Sequence, residues 1–189
     1  MQRRTQNRLS ATRELAVIAL AISLLAICSH ISVPAFVGHI TLQLFAVLLI
    51  ASTLDLKKSF ISVALYIAMG LIGIPIFAGF RGGLSVLLDV SGGYLLGFLL
   101  ISVTVPLARR FFGELTVCTL ASSLIAMLLT YVIATLWFMI VTSAPLSFES
   151  FRIAIAWCAL PYVIFDIIKL ALVLICAPRV RRFLDFSDN

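Results

Sequence analysis

The sequence is poor in charged residues and confines those it has to short clusters. Only 12% of its 189 residues are Asp, Glu, Lys or Arg, whereas soluble domains carry about 25%. Four long stretches have no charge at all: residues 15–54, 59–80, 90–108 and 115–148. Because a spanning helix needs about 20 mostly apolar residues, these stretches exclude an ordinary soluble domain and indicate an integral membrane protein.

Residues that build common catalytic and metal sites are also few. The cysteines show no Cys-x-x-Cys or His–Cys spacing, which argues against a disulfide framework or a zinc site. Both histidines fall near the ends of predicted helices, so we expect no catalytic constellation, metal or cofactor. A G-x-x-x-x-G-K-[ST] motif is missing, so the chain does not hydrolyse ATP itself. The basic residues flank membrane segments instead of lining one face, which argues against a nucleic-acid partner.

Proline, glycine and charged residues divide the apolar stretches into six predicted membrane helices. The predicted spans are residues 12–33, 40–56, 57–74, 91–110, 114–142 and 152–178. We therefore expect an all-α integral membrane protein in which residues 1–189 form a single six-helix domain. Residues 1–13 form a basic N-terminal segment of this domain, and residues 179–189 form its tail.

Lys and Arg predict the orientation of the chain, because short cytoplasmic loops are enriched in both. Eleven basic residues fall on one side of the predicted bundle, and only Arg81 and Arg152 fall on the other. We therefore expect both termini in the cytoplasm and the chain in the cytoplasmic (inner) membrane. The eleven are Arg3, Arg4, Arg8, Arg13, Lys57, Lys58, Arg109, Arg110, Arg179, Arg181 and Arg182.

Seven of the ten glycines fall within residues 73–98, around the longest outward connection. This connection, residues 75–90, is too apolar for a solvated linker, and irregular backbone at membrane depth is tolerated only inside protein or beside a cavity. We expect it to lie over the outer mouth of the bundle and cap a ligand pocket. Gly79, Gly82 and Gly83 are expected to turn the backbone with positive φ and to approach the ligand closely.

Three later glycines have a structural interpretation beside the functional one. Gly92 and Gly93 either bring the N–H groups of a helix N-terminus to a polar or anionic ligand group or let two helices pack closely. For Gly97 we expect close helix packing.

Two opposite charges lie inside the last predicted helix, where each costs at least about 2.5–3.5 kcal/mol on insertion scales. Asp166 and Lys169 are three residues apart and share a helix face. With a helix start near Arg152, Asp166 is expected about 21 Å along it, near mid-membrane. The pair either locks the helix or binds a ligand. We favour ligand binding, because two apolar residues would make the helix at least as stable. Pro161, five residues before Asp166, would also kink the helix beside the pair. Gln43, at the outer end of the second helix, faces either the cavity or a neighbouring helix.

Four motifs together resemble the biotin-specific substrate-binding subunits of energy-coupling-factor transporters, the BioY family. They span nearly the whole chain: ISVP…ITLQ…AVLL at 31–49, GLIGIPIFAGFRGG at 70–83, SGGYLLGF at 91–98 and LPYVIFDIIK at 160–169. The resemblance implies six helices, cytoplasmic termini and an outward pocket roofed by the loop between helices 3 and 4. It also implies high-affinity capture of biotin, with energy supplied by ATPase subunits through a transmembrane coupling protein.

The sequence departs from this family in two places. Asp89, Val90 and Ser91 stand where members typically have Gly-Pro-Thr before Gly-Gly-Tyr, so the junction of the loop with helix 4 is expected to differ. On the first helix the family's Ala-x-x-x-Ala, where the coupling subunit docks, is replaced by Ala19 with Ser23. This second departure leaves room for function without a partner.

The residue types suit biotin chemically. Its ureido ring presents two N–H donors beside one carbonyl acceptor, which match the carboxylate of Asp166 and the ammonium of Lys169. Phe77 and Tyr94 are expected to pack against the thiophane ring, and Arg81 to meet the carboxylate near the outer mouth. A reversed ligand, with its carboxylate on Lys169, is the alternative pose.

Other functions stay open at this point. One is a solitary proton- or ion-coupled transporter of biotin or another vitamin, in which Asp166 carries the proton. Another is the same fold with a different vitamin, and a third is an intramembrane enzyme that uses Asp166 and Lys169 as acid and base. Besides the lipid bilayer, the sequence also allows a homo-oligomeric partner.

Overall fold

The structure, a computed structural model, describes residues 2–34, 39–113, 116–145 and 147–186. Most of these residues are helical, which satisfies the backbone hydrogen bonds of apolar segments without water. The elements are α1 (Gln2–His30), β1 (Ser32–Pro34), β2 (His39–Thr41), α2 (Gln43–Thr53), α3 (Leu56–Leu71), α4 (Leu84–Leu87), α5 (Gly92–Phe112), α6 (Thr116–Val141), α7 (Phe148–Cys158) and α8 (Leu160–Phe186).

Four helices in the described part of the chain are long and apolar enough to cross a membrane. They are Ala11–His30 of α1, the whole of α5 and α6, and Leu160–Leu184 of α8. α2 and α3 have only 11 and 16 residues, fewer than the predicted second and third spans. The prediction of a helical membrane protein is confirmed, whereas the count of six spanning helices stays a prediction.

The last predicted span is wrong as a single helix, because the helix is interrupted at Ala159, between α7 and α8. Pro161 is the second residue of α8, where the missing N–H leaves no helical hydrogen bond unmade. The interruption lies two residues before Pro161, where the proline is expected to disturb the helix. Asp166 lies about 9 Å from the start of α8 at 1.5 Å per residue, and not 21 Å along a helix that begins near Arg152.

A short antiparallel hairpin connects α1 to α2, and the all-α prediction missed it. Ser32 of β1 pairs with Thr41 of β2. The first two predicted spans are therefore too long at this end, since α1 ends at His30 and α2 begins at Gln43. The hydroxyl of Thr41 accepts a hydrogen bond from the Gln43 backbone N–H at 3.2 Å, which satisfies one donor of the first turn.

The core forms around α2, which packs against α1, α3, α5 and α8. Its fully buried apolar residues are Ala46, Val47, Leu48 and Ala51. Gln43, which lines the cavity described below, is the first residue of α2, and Leu54 directly follows its last residue. The helix therefore runs between the two ends of the bundle. Its position explains why so short a helix is so thoroughly apolar.

Small residues let α5 approach its neighbours. A Cβ on Gly97 would lie 2.2 Å from Cγ2 of Thr130, and one on Gly93 would lie 2.7 Å from Cα of Ala134. A Cβ on Gly92 would lie 1.9 Å from the carbonyl oxygen of Leu87. The packing interpretation is confirmed for Gly97, and it is also what the structure shows for Gly92 and Gly93.

We expect Gly97→Ala to lower the unfolding temperature in detergent, because the added methyl must push α5 away from α6 at a cost of about 1–3 kcal/mol. Thr130→Ser removes the nearest clashing atom, Cγ2. The double variant Gly97→Ala/Thr130→Ser should therefore recover part of the loss, with Thr130→Ser alone as its control. An unfolding temperature unchanged by Gly97→Ala would contradict this packing.

Candidate functional site

A partly open cavity of about 80 Å³ lies at the end of the bundle where α2 and α5 begin. Side chains of α2, α5, α6 and α8 line it, together with the segment between α3 and α5. Six of the eight residues predicted for the ligand site are among them: Gln43, Phe77, Arg81, Tyr94, Asp166 and Lys169. The structure thus brings together residues that are up to 126 positions apart (169 − 43 = 126).

Asp166 and Lys169 form an ion pair in the wall of this cavity. Nζ of Lys169 lies 2.5 Å from Oδ1 of Asp166, and the residues are only 5% and 4% exposed. Tyr131 of α6 donates its hydroxyl hydrogen to Oδ2 of Asp166. A carboxylate has about four lone-pair sites and an ammonium three donors. Both groups therefore keep hydrogen-bonding capacity for a ligand.

Tyr131 lines the cavity and contacts Asp166, and the sequence did not predict this. It lies within the 26-residue apolar helix α6. Its only sequence signal is a phenol in the interior of a predicted span, where a buried hydroxyl needs a partner. That partner, Asp166, is 35 positions away, and no periodicity in α6 indicates it.

Two aromatic residues predicted for the site form separate parts of its wall. Phe77 is 2% exposed and meets the ring of Tyr66 edge-on, with centroids 5.6 Å apart. Tyr94 donates its hydroxyl hydrogen to the Cys158 carbonyl at the end of α7, and its centroid lies 5.7 Å from that of Tyr162. Both rings are thus fixed by their own contacts beside the cavity.

Gln43 satisfies both of its predicted alternatives, since it lines the cavity and also contacts a neighbouring helix. Its Nε2 donates to the hydroxyl of Tyr66 on α3 at 3.1 Å. That hydroxyl donates to the Ile76 carbonyl at 2.8 Å, and the Ser29 hydroxyl donates to the same carbonyl at 2.5 Å. A hydrogen-bonded chain therefore links the cavity wall to the backbone of the segment after α3.

Arg81 lines the cavity, but its guanidinium already has partners. Nη1 lies 2.8 Å from Oδ2 of Asp89, and Nη2 donates to the Ser91 hydroxyl at 3.0 Å. Its Nε donates to the Ala78 carbonyl at 3.3 Å. Asp89 and Ser91 stand at the departure from the family motif, so that departure supplies partners for Arg81.

Gly82 and Gly83 do not line the cavity. The positive φ is confirmed for Gly83, at 94°, and wrong for Gly82, which lies outside the left-handed region. A Cβ on Gly82 would lie 2.6 Å from the Ile74 carbonyl oxygen, and the Gly83 N–H donates to Gly70 at 2.7 Å. The backbone that these glycines approach is that of the loop itself and of the end of α3.

Comparisons with known proteins agree on one family. The family model described as the BioY family matches residues 1–186. "Biotin transporter BioY2" of Lactococcus lactis subsp. cremoris is 33% identical over 175 residues, which cover 93% of each chain. "Probable biotin transporter BioY" of Pyrococcus horikoshii is 32% identical over 169 residues, which cover 89% of this chain and 96% of that one.

A solved structure shares the fold. The S-component for biotin from an ECF-type ABC transporter superposes with a TM-score of 0.75, over 92% of this chain and 93% of that chain. The two sequences are 23% identical in this comparison.

We expect Lys169→Met to destabilise the protein, because it leaves the buried Asp166 carboxylate without its cation, at a cost of about 3–5 kcal/mol. The double variant Asp166→Asn/Lys169→Met removes both charges and should unfold close to the wild-type temperature. Thermal unfolding in detergent measures both. A double variant less stable than the single one would contradict this account of the pair.

Proposed function

The chain belongs to the BioY family, and from that premise we propose that it captures biotin as the substrate-binding subunit of an uptake transporter. It is a multi-pass protein of the inner membrane. The observation that carries the proposal is the Asp166–Lys169 ion pair, which is buried yet lines a cavity. A pair of charges at this depth costs stability that an apolar pair would not, so ligand recognition is its best physical justification.

The pair complements the ureido ring of biotin. Asp166 accepts hydrogen bonds from the ureido N–H groups, and Lys169 donates one to the ureido carbonyl. Tyr131 holds the carboxylate from the α6 side, and so fixes the direction in which Asp166 presents its free lone pairs. An analogue without one of these polar groups would leave a buried partner unsatisfied, which is how such sites discriminate strongly.

The aromatic wall receives the rest of the fused ring system. Phe77 and Tyr94 lie on different parts of the wall and pack against the thiophane ring from two sides. The cavity volume of about 80 Å³ is below the roughly 300–1,000 Å³ of typical ligand sites. Binding therefore includes an outward movement of part of the wall.

The segment that moves is the loop between α3 and α5, which caps the pocket. Phe77 and Arg81 form a two-residue bridge within it, and Val86 of α4 also lines the cavity. The hydroxyls of Tyr66 and Ser29 donate hydrogen bonds to the Ile76 carbonyl and so hold the loop against α3 and α1. Since Gln43 donates to that Tyr66 hydroxyl, a ligand that competes for Gln43 changes how firmly the cap is held.

Arg81 binds the biotin carboxylate while its guanidinium stays paired with Asp89. A guanidinium has five N–H donors, so it can keep a carboxylate partner of its own while it receives another. Asp89 lowers the local positive charge, and we expect it to weaken the attraction for the ligand carboxylate. In the reversed pose Lys169 binds the carboxylate, and Arg81 only braces the loop.

The chain spans the membrane six times with both termini in the cytoplasm, with α2 and α3 as short spans. The eleven-to-two distribution of basic residues supports this orientation. Energy comes from ATPase subunits through a membrane coupling protein, because the chain has no ATP-binding loop of its own. On α1 the exposed Ala19 and Ser23 lie one turn apart, and Ser23 donates to the Ala19 carbonyl at 2.9 Å, which leaves a small, smooth face for that protein.

Asp166→Asn is expected to reduce equilibrium binding of labelled biotin on the order of 100-fold, since it removes charge-assisted hydrogen bonds to the ureido ring. Glu149→Gln makes the same chemical change at an exposed residue and serves as the control. Equal affinity of Asp166→Asn and wild type would exclude this site.

Biotin methyl ester separates the two poses of the ligand. If Arg81 binds the carboxylate, the ester binds wild type weakly, and Arg81→Ala adds little further loss. With Lys169 as the carboxylate partner, Arg81→Ala instead weakens biotin and its ester by similar factors. Parallel titrations of both ligands on both proteins measure the difference.

A further inference from the structure

A second concave surface lies at the opposite end of the bundle. It is a groove of about 1000 Å³ between the middle of α1, the α2–α3 connection, the start of α3, the end of α5 and the end of α8. The same helices serve both ends: α5 lines the cavity with Tyr94 and Phe98 and the groove with Pro106, Arg109 and Arg110. The groove is therefore separated from the biotin cavity by most of the length of the bundle.

The groove is strongly basic. Five of its lining residues are cationic and two are acidic; they are Arg13, Lys57, Lys58, Arg109 and Arg110, with Glu14 and Asp55. The excess of three positive charges (5 − 2 = 3) lies in a surface formed by five helices, α1, α2, α3, α5 and α8. Such a surface attracts an anion more strongly than scattered charges would.

Two of these arginines hold the walls of the groove together through hydrogen bonds to backbone carbonyls. Nη2 of Arg13 donates to the Leu184 carbonyl at 2.8 Å, and Nη1 of Arg109 donates to the Leu54 carbonyl at 3.1 Å. Both bonds satisfy carbonyls at or beyond the C-terminal ends of helices, where cations are favourable. They join α1 to α8 and α5 to the α2–α3 connection, so the groove has fixed walls.

The remaining cations are available to a ligand to different extents. Lys58 is paired with Asp55, with Nζ 3.1 Å from Oδ2. Lys57 and Arg110 are exposed, and none of the ion pairs between described residues includes either side chain. These two therefore have the most capacity to bind an external anion.

The groove also has an apolar part. Val17, Phe60 and Pro106 line it together with the cations, and Phe60 is 43% exposed. These residues lie just inside the charged ends of apolar helices, where the hydrocarbon of the bilayer meets its headgroups. A small soluble anion would leave this apolar surface uncovered, and a lipid without net charge would leave the cations uncompensated.

We propose that this groove binds an anionic phospholipid, with the phosphate on Lys57 and Arg110 and an acyl chain against Phe60 and Val17. Basic pockets between membrane helices are suited to such headgroups, and each nearby cation contributes about a fivefold increase in affinity. The lipid bridges α1, α3 and α5 at the end of the bundle remote from biotin. This inference does not depend on the proposed substrate.

Native mass spectrometry of the full-length protein in detergent tests the proposal, with phosphatidylglycerol and phosphatidylcholine of identical acyl chains as probes. Wild type should retain phosphatidylglycerol preferentially. Lys57→Gln/Arg110→Gln should bind it about thirtyfold more weakly, from two cations at about fivefold each. The matched control Arg179→Gln/Arg182→Gln removes two exposed charges at the same end, outside the groove, and should bind within about threefold of wild type.

Three results would overturn the proposal. The first is equal retention of phosphatidylglycerol by the groove and control variants. The second is displacement of the lipid by glycerol 3-phosphate at a similar concentration, which would make the groove a site for small anions. The third is unchanged lipid retention with loss of a co-purifying partner subunit, which would make it a protein interface. Biotin binding by the same samples reports separately on the remote cavity.

Discussion

The arrangement of the cavity depends on one interaction, the ion pair between Asp166 and Lys169 in an apolar helix bundle. Neither charge is stable there alone, so each requires the other, and the carboxylate also takes the hydroxyl hydrogen of Tyr131. This requirement fixes α8 against α6 at the cavity.

The loop after α3 is held by polar contacts to its own backbone and to nearby helices, and by Phe77 and Val86, which are buried in the hydrophobic core. The Ile76 carbonyl accepts hydrogen bonds from the hydroxyls of Ser29 and Tyr66, and the guanidinium of Arg81 donates to Asp89 and Ser91. A few hydrogen bonds of this kind can exchange at modest cost. The proposed cap can exchange such bonds when it admits a ligand larger than the present cavity.

Sequence patterns predicted the class of the protein and six of the 19 residues that line the cavity. The cost of inserting charges into a membrane singles out Asp166 and Lys169, and the clustering of glycine singles out the loop. They did not predict Tyr131, since its partner lies on another helix, nor the partners of Arg81 within the same loop. The last span was also wrong as a single helix: Pro161 predicted a kink in one continuous helix, whereas the structure has two helices separated at Ala159, two residues before the proline. At Gly82 the sequence indicates that only glycine fits but not why. The contacts show the reason: a Cβ would clash with the Ile74 carbonyl oxygen, whereas φ itself would allow another residue.

The position of the ureido ring distinguishes the two ligand poses, and a structure of the chain with bound biotin shows it most directly. The prediction is that the ureido N–H groups lie about 3 Å from the Asp166 carboxylate and the ureido oxygen about 3 Å from Nζ of Lys169. A biotin whose carboxylate contacts Lys169, or one bound outside this cavity, would contradict the central claim.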